Sequence, residues 1–307
     1  MTDSTGQGSP LAPIVMGSRR VFCCHRAGYS RRFPPNSLAA VRECVEAGVP
    51  RLEIDVRFLA DDGMLIFHDA HLDDETTGSG RVSELDSPAA RALRFTSDPS
   101  LGPCFLEDVV AAMEGSSTLL QVDLKLMRPI SERRLHLLAG AVAPLGARVL
   151  VGSQAHWNLR PVQDWGAPVA FDTTLQWYYD AGRTQAGLTP SRRGLHGLWD
   201  DAPIAHIPAF GARDYAEARI DDLVGLLPGA VEWMVDIATL RHLGALGVSL
   251  GAELAHRGIE LAAWTMRDAG PEASTARLRE LFALGATTII TDDAAVLAGY
   301  ARNIGEA

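Results

Sequence analysis

Short apolar runs alternate with polar turns and amphipathic segments through most of this chain. The runs are rich in Val, Ile, Leu and Ala at consecutive positions, as expected for parallel strands that are covered on both faces. Eight runs are predicted to be strands: Val21–His25, Leu52–Phe58, Leu119–Leu126, Val149–Val151, Val169–Asp172, Val231–Asp236, Ile259–Trp264 and Thr288–Thr291.

The segments between these runs carry apolar residues at helical spacing. Ser37–Ala47 shows the pattern, because Leu38, Val41 and Val45 share one face and Gly48 follows as a stop signal. The other predicted helices are Leu106–Met113, Ser131–Ala143, Ala238–Arg257 and Ser274–Leu284. Eight strands that alternate with helices predict an α/β fold, a (β/α)8 TIM barrel rather than an open doubly wound sheet.

Three parts of the chain depart from this alternation. Residues 1–18 are polar and are predicted to be a flexible leader, without the basic region and apolar core of a signal peptide. Residues 59–105 predict a hairpin and a small insertion after the second strand. Residues 176–228 predict a longer insertion before the sixth strand, which we expect to hold a helix or a lid. The remaining chain, 19–307, is predicted to be a single domain.

Composition is that of a globular protein, with 47% hydrophobic and 21% charged residues among 307. The net charge of −10 argues against a nucleic-acid partner, although a bound cation and local arginines would still permit an anionic substrate. No apolar run is long enough to cross a bilayer. The cysteines show neither disulfide nor zinc-ligand spacing and predict reduced thiols in the cytoplasm: Cys23, Cys24, Cys44 and Cys104.

Carboxylates recur on one face of two predicted strands. Glu53 and Asp55 are two positions apart, so their side chains leave the same face, which in a barrel is the interior. Asp123 and Lys125 repeat this arrangement on the next barrel strand. Three carboxylates in an apolar interior suit Mg²⁺ or Ca²⁺, whereas surface acids on an edge strand are the weaker alternative. Lys125 would either contact phosphate or form a structural ion pair with Asp123 or Glu53, and both can hold at once.

Two histidines each end an apolar run and precede a charged residue. His25 is followed by Arg26, and His68 by Asp69. Such a pair can serve as general acid and base on the two sides of a phosphodiester, since imidazole titrates near neutral pH. Arg26 offers a planar guanidinium for phosphate oxygens; the alternative is a solvated surface arginine.

An ordered set of motifs resembles the glycerophosphodiester phosphodiesterase family. The matching segments run from residue 25 to residue 292, nearly the whole predicted barrel. They are His25-Arg26-Ala27, Pro34-Pro35-Asn36-Ser37, Glu53-Ile54-Asp55-Val56, His68-Asp69, Thr76-Thr77-Gly78-Ser79-Gly80, Asp123-Leu124-Lys125, Trp264-Thr265 and Thr291-Asp292.

The resemblance implies a TIM barrel that uses a divalent cation, Mg²⁺ or Ca²⁺, to hydrolyse a small-molecule phosphodiester to glycerol 3-phosphate and an alcohol. It implies three sets of site residues: metal ligands Glu53, Asp55 and Asp123; acid–base histidines His25 and His68; and substrate contacts Arg26, Lys125 and Trp264. Trp264 would wall the alcohol side of the substrate, or else be a barrel-core aromatic.

The chain departs from the family pattern at two motif positions, since Pro35 and Asp123 each stand where glutamate is usual. The shorter Asp123 would need the metal to lie closer to its strand, or a water in between. Asn36 is expected to order the loop after the first strand or to touch the metal site. Two other functions stay open: hydrolysis of another phosphodiester, such as a lysophospholipid or sugar phosphodiester, and phosphate binding without catalysis.

Overall fold

A computed structural model of the protein describes residues 20–173 and 212–303. The predicted leader, and the part of the predicted insertion that spans 176–211, therefore lie outside the described residues. Within them, no helix combines the length and apolar character needed to span a membrane.

A closed barrel of eight parallel strands forms the centre of the protein, which confirms the predicted fold class. Around the barrel the order is β1, β2, β4, β5, β6, β7, β8, β9, and β1 pairs with both β2 and β9 to close the ring. A ninth strand, β3, pairs antiparallel to β2 and makes the predicted hairpin. The strands are β1 (Val21–Cys24), β2 (Arg51–Phe58), β3 (Met64–Ile66), β4 (Leu119–Leu124), β5 (Val149–Ser153), β6 (Val169–Asp172), β7 (Glu232–Asp236), β8 (Glu260–Met266) and β9 (Thr288–Thr291).

Helices cover the outside of the barrel. In the described residues they are α1 (Leu38–Glu46), α2 (Ser87–Ala92), α3 (Leu106–Ala112), α4 (Glu132–Val142), α5 (His156–Asp164), α6 (Ala212–Leu226), α7 (Ile237–Ala245), α8 (Leu250–Ala255), α9 (Pro271–Ala283) and α10 (Ala294–Asn303). The helix α6 lies in the part of the predicted second insertion that the structure describes. The sequence had not predicted α2, α5 or α10.

The prediction of one helix over Ala238–Arg257 is wrong, because the segment forms α7 and α8 with a turn between them. Gly247 adopts a φ of +78° in this turn, a left-handed conformation that ends helical hydrogen bonding. The amide of Val248 turns back to the carbonyl of Leu243 instead. The apolar periodicity continues across the turn because both helices pack on the same barrel.

Side chains of β2 alternate between the core outside the barrel and the barrel interior. Leu52, Ile54 and Val56 are fully buried in the main core between strands and helices. Glu53 and Asp55 alternate with them and therefore enter the barrel interior, as predicted. A small second core forms in residues 59–105 beside the end of β2, made by Leu59, Leu65, Phe67, Leu72, Val82, Ala90, Leu93, Phe95 and Phe105.

A buried polar network lies in the barrel below the carboxylates. Arg51 Nη1 and Nη2 donate to the two oxygens of Glu232 at 2.8 and 2.6 Å. Arg51 Nε also donates to Gln121 Oε1 at 3.0 Å, and Thr288 donates to Glu232. Every one of these residues is about 1% exposed or less. The network fills the barrel interior beneath the site and leaves the upper end for chemistry.

Candidate active site

Glu53, Asp55 and Asp123 converge at the carboxyl ends of β2 and β4. The parallel pairing sets Asp55 directly beside Asp123. One oxygen from each of the three carboxylates lies within 4.8 Å of the other two, a spacing that a single cation could bridge. Glu53 and Asp55 are buried, whereas Asp123 is partly exposed. The structure therefore brings together the three predicted metal ligands, including the unusual aspartate.

Asn36 holds Asp55 in place from the loop after β1. Its Nδ2 donates to Asp55 Oδ2 at 2.8 Å, and its Oδ1 accepts the backbone N–H of Asp55 at 3.2 Å. Asn36 itself adopts a left-handed φ of 60°, which asparagine tolerates better than most residues. Asn36 thus both orders the loop and touches the carboxylate cluster.

Lys125 lies between two of the carboxylates. Its Nζ is 2.6 Å from Asp123 Oδ2 and 3.1 Å from Asp55 Oδ1. Burial lowers the pKa of Lys125, but the carboxylates of Asp123 and Asp55 outweigh burial and raise it overall. In the same way, burial raises the pKa of Asp55, yet the charges of Lys125, His68 and Arg26 and the Asn36 hydrogen bond together outweigh it and lower the pKa to about 2. The structural ion pair is present with Asp123 and Asp55, and Lys125 also faces the cavity.

Glu53 is the carboxylate whose hydrogen bonding is left incomplete by the surrounding residues. Its Oε2 accepts the backbone N–H of Arg26 at 2.7 Å, while its buried Oε1 has no hydrogen-bond partner. Burial, followed by the charge of Asp55, raises the pKa of Glu53 to about 8. An orphaned carboxylate oxygen beside two other acids is what a hard cation would satisfy. The residues present therefore fit a divalent ion.

His25 forms an ion pair with Asp292 beyond the end of β9. The distance from His25 Nδ1 to Asp292 Oδ1 is 2.7 Å, and Arg267 Nε donates to Asp292 Oδ2 at 3.0 Å. Burial lowers the pKa of His25, but the hydrogen bond with Asp292 and the negative charges of Glu53 and Asp292 together outweigh it, so the net shift is upward. Thr291-Asp292 matches the family pattern in the sequence, but Asp292 was not predicted to have a role. The motif was the sequence feature that could have identified Asp292 as a site residue.

His68 has a different partner and an opposite shift. Its Nδ1 lies 2.6 Å from Asp69 Oδ1, and its carbonyl accepts from Arg57 Nε at 2.8 Å. Burial is the largest influence and lowers the pKa of His68. Both histidines therefore use Nδ1 for a carboxylate, which leaves each Nε2 for a bound molecule.

Arg26 lies in the site rather than on a solvated surface. It adopts a left-handed φ of 51° in the short 3-10 turn that follows β1. Its Nε is 3.4 Å from Asp55 Oδ2, and its side chain lines the cavity. The strained backbone points the Arg26 N–H at Glu53 while the guanidinium stays beside the carboxylates.

A cavity of about 240 Å³ joins these groups. The predicted residues His25, Arg26, Glu53, His68, Asp123, Lys125 and Trp264 all line it, and Asp55 lies just beneath. Trp264 also packs against the apolar layer inside the barrel, so it is both core aromatic and cavity wall. The sequence missed the remaining polar wall residues, which are Gln121, Gln154, Asp172, Thr265 and Arg267.

A second groove of about 390 Å³ adjoins this cavity. The two share His68, Asp123, Lys125 and Gln154. The groove continues past Leu124 to Met127, whose side chain is 41% exposed. A phosphodiester held at the shared wall would thus have room for substituents on two sides.

Comparisons with known proteins agree on one family. Residues 25–159 match the model of the Glycerophosphoryl diester phosphodiesterase family. Glycerophosphodiester phosphodiesterase 1 of Mus musculus is 31% identical over 94 residues, which are 31% of this chain and 28% of that protein. Probable glycerophosphodiester phosphodiesterase 2 of Mycobacterium tuberculosis is 30% identical over 146 residues, which are 48% of this chain and 53% of that protein. The chain thus spans about a quarter to a half of these relatives.

Solved structures share the fold over almost the whole chain. A putative glycerophosphoryl diester phosphodiesterase from Agrobacterium tumefaciens superposes with a TM-score of 0.66 at 14% identity, over 94% of this chain and 100% of that one. A phosphodiesterase from Oleispira antarctica, solved in complex with the product sn-glycerol-3-phosphate, has a TM-score of 0.64 at 14% identity, over 92% and 96%.

Proposed function

We propose that this chain hydrolyses glycerophosphodiesters to glycerol 3-phosphate and an alcohol with the help of a divalent cation. The family match, the relatives and the structural neighbours all point to the glycerophosphodiester phosphodiesterase family. One observation carries the proposal. Two histidines, a lysine and three converging carboxylates, one with a buried oxygen that lacks a partner, meet in a single cavity.

Glu53, Asp55 and Asp123 would hold the cation, and oxygen ligands favour Mg²⁺ or Ca²⁺. When bound, a divalent ion supplies positive charge that stabilises phosphoryl oxygens. Arg26 and Lys125 line the same cavity and would bind the remaining phosphate oxygens. Trp264 would wall the side of the departing alcohol.

The two histidines have opposite tendencies, and these support distinct roles. The contact with Asp292 helps to raise the pKa of His25, so we assign His25 as the acid that protonates the leaving alkoxide as the P–O bond breaks. Burial favours neutral His68, so we assign it as the base that takes the proton of the attacking water or neighbouring hydroxyl. When water attacks, His25 is left deprotonated and His68 protonated, and both exchange protons with solvent before the next turnover. When the neighbouring hydroxyl attacks, the first product is a cyclic phosphate; His25 then takes a proton from water as the water attacks phosphorus, and His68 returns its proton to the departing hydroxyl, which gives glycerol 3-phosphate and restores both histidines.

A second candidate function is hydrolysis of a lysophospholipid. The observation that favours it is the adjoining groove, where exposed Met127 offers apolar surface to a long chain. We also propose that the enzyme works in the cytosol, supported by four buried cysteines that are unpaired.

The deciding experiment is hydrolysis of glycerophosphocholine, glycerophosphoethanolamine and lysophosphatidylcholine with Mg²⁺, Ca²⁺ or chelator. We expect the two glycerophosphodiesters to be cleaved only with a cation, and a His25→Ala enzyme to be inactive. Cleavage of lysophosphatidylcholine alone would favour the second candidate. Binding of phosphate compounds without turnover of any diester would overturn both in favour of a silent barrel.

A further inference from the structure

A further groove of about 380 Å³ opens beside the active-site cavity, at the end of β8. We call it the arginine groove, because Arg241, Arg267 and Arg277 line it. Arg241 lies on α7, Arg277 lies on α9, and Arg267 directly follows β8. Among the described residues that line the groove, none is an aspartate or a glutamate. The groove therefore presents positive charge to a molecule that enters it.

The two arginines on the helices share a single carboxylate. Arg241 Nε lies 2.5 Å from one oxygen of Glu280, and Arg277 Nε lies 3.2 Å from the other. Two further acids are close in sequence but do not line the groove: Asp236 accepts from a backbone amide of α7, and Asp268 accepts from a serine hydroxyl of α9. The contacts with Glu280 use Nε, which leaves the Nη groups of both arginines for a ligand. Arg241 is 50% exposed and Arg277 38% exposed, so a solute can reach them.

The arginine groove continues from the side of the cavity where the alcohol leaves in the proposed mechanism. Thr265 and Arg267 line both spaces. Asp292 links this wall to the proposed acid, because one of its oxygens lies 2.7 Å from His25 Nδ1 and the other accepts from Arg267 Nε at 3.0 Å. An alcohol that takes its proton from His25 departs beside Arg267, and a substituent on that alcohol extends into the groove.

We propose that the arginine groove binds an anionic group, a carboxylate or a phosphate, carried by the alcohol of the substrate. A guanidinium group binds either anion through paired N–H donors. A cationic substituent on the alcohol would instead meet three positive charges. The inference rests on the proposed function and adds an order of preference to it: diesters of anionic alcohols are hydrolysed faster than diesters of neutral or cationic alcohols.

Two diesters of similar size isolate the effect of one negative charge. In both, sn-glycerol 3-phosphate is esterified to a four-carbon alcohol, which is 4-hydroxybutanoate in the first and 4-hydroxybutanamide in the second. The charged group is remote from the bond that breaks, so the two alcohols are similar as leaving groups. Hydrolysis of either diester is followed through the glycerol 3-phosphate released, with glycerol-3-phosphate dehydrogenase as the coupling enzyme. We expect the carboxylate diester to be preferred in kcat/KM by roughly tenfold, mainly through a lower KM, and the preference to shrink in about 0.5 M NaCl because salt screens exposed charges.

Removing the charges of Arg241 and Arg277, which the proposed mechanism does not use, should remove the preference. In the double variant Arg241→Gln/Arg277→Gln we expect the preference to fall below about threefold, because KM rises for the carboxylate diester, whereas the amide diester should change by no more than about twofold. Arg241→Lys/Arg277→Lys keeps both charges and should retain most of the preference. Arg279→Gln is the matched control, because Arg279 is exposed on the same helix as Arg277 but does not line the groove, and it should change neither substrate.

The outcomes separate this inference from the proposed function. If neither diester is cleaved with Mg²⁺ or Ca²⁺, the proposed function is wrong and this inference falls with it. If both are cleaved without a preference, or if the folded glutamine double variant keeps the preference or slows both diesters alike, the function stands and the groove assignment is overturned. If the glutamine double variant does not fold, the unaltered enzyme decides, since a preference that is unchanged in about 0.5 M NaCl would also overturn the assignment.

A free anion is the remaining alternative occupant of the arginine groove, and inorganic phosphate is the probe for it. Phosphate that binds in the cavity should inhibit the unaltered enzyme and the glutamine double variant alike. Inhibition of both diesters that disappears in the double variant, with the preference between the diesters unchanged, would show that the groove binds a free anion. That result would overturn the assignment to the alcohol of the substrate.

Discussion

Two groups of charged side chains occupy the interior of one barrel, and they differ in how completely they are paired. In the lower group, Arg51 meets both oxygens of Glu232, and Gln121 accepts from the same guanidinium. One positive charge faces one negative charge, and the polar atoms have partners. Such a network is complete without any ligand.

In the upper group, which consists of the three carboxylates and Lys125, neither the charges nor the hydrogen bonds are fully paired. Three carboxylates converge within 4.8 Å, and Lys125 is paired with only two of them. Glu53 keeps a buried oxygen without a partner, and its pKa is raised to about 8 by burial and by Asp55. An uncompensated charge is costly inside a protein, so we infer that this end of the barrel binds an ion and substrate rather than stabilising the fold.

Glu53→Gln should break the upper group without harming the lower one. We expect hydrolysis to fall by roughly 10³-fold or more, because several kcal/mol of charge stabilisation are lost. The free energy of unfolding without metal should not decrease, since the substitution removes a buried carboxyl group whose charged form is disfavoured by burial and by Asp55. A cation should raise the Tm of the unaltered protein but not that of the variant, as differential scanning fluorimetry would show. A normal cation-induced rise in the variant would contradict the ligand assignment.

Glu232→Gln tests the lower group in the opposite sense. It leaves the Arg51 charge buried and unpaired, so unfolding in urea should show a loss of roughly 3–5 kcal/mol. Glu107→Gln is the matched control, because Glu107 is 55% exposed in a 3.4 Å surface ion pair with Arg91 and should cost less than about 1 kcal/mol. Equal stability of the two variants would show that the lower network is not a stabilising one.

Asp292→Asn should have a smaller effect on activity, since in the proposed mechanism Asp292 positions His25 and is not itself assigned a contact with the substrate. We expect kcat to fall by roughly 10- to 100-fold. The pKa of His25 should also drop when the ion pair is lost, so the limb of the pH–rate profile that reports the acid should move to lower pH. A lower rate with an unmoved limb would instead indicate a purely structural role.

A pH dependence of stability is also expected. The pKa of Glu53 is 4.5 in the reference state and about 8 when folded, so the folded protein holds more protons than the unfolded chain between these values. Metal-free protein should therefore lose stability as the pH rises from about 4.5 through about 8. Urea titrations at several pH values across this range should show that the free energy of unfolding changes less with pH for Glu53→Gln and for cation-saturated protein. Stability that rises across the window in metal-free protein would falsify the raised pKa.

Local patterns were enough to predict the eight barrel strands, a hairpin within residues 59–105 and the inward face of β2. These features are predictable because the spacing of apolar residues along a strand or helix is set locally, by which of its faces is covered. The same reasoning was wrong where one residue mattered, as at Gly247, whose left-handed φ divides a continuous amphipathic segment into two helices.

The sequence by itself determined the residue types of the upper group: paired acids on one strand face, an acid and lysine on the next, and two histidines at strand ends. Only the tertiary structure decided which of these groups meet. The partner of His25 is 267 positions away, and Gln154 donates to Asp172 only because β5 and β6 are neighbours in the ring. Charge and hydrogen-bond capacity belong to single residues, but pairing and burial arise only when the barrel closes. Pairing and burial are what distinguish the fully paired lower group from the incompletely paired upper group.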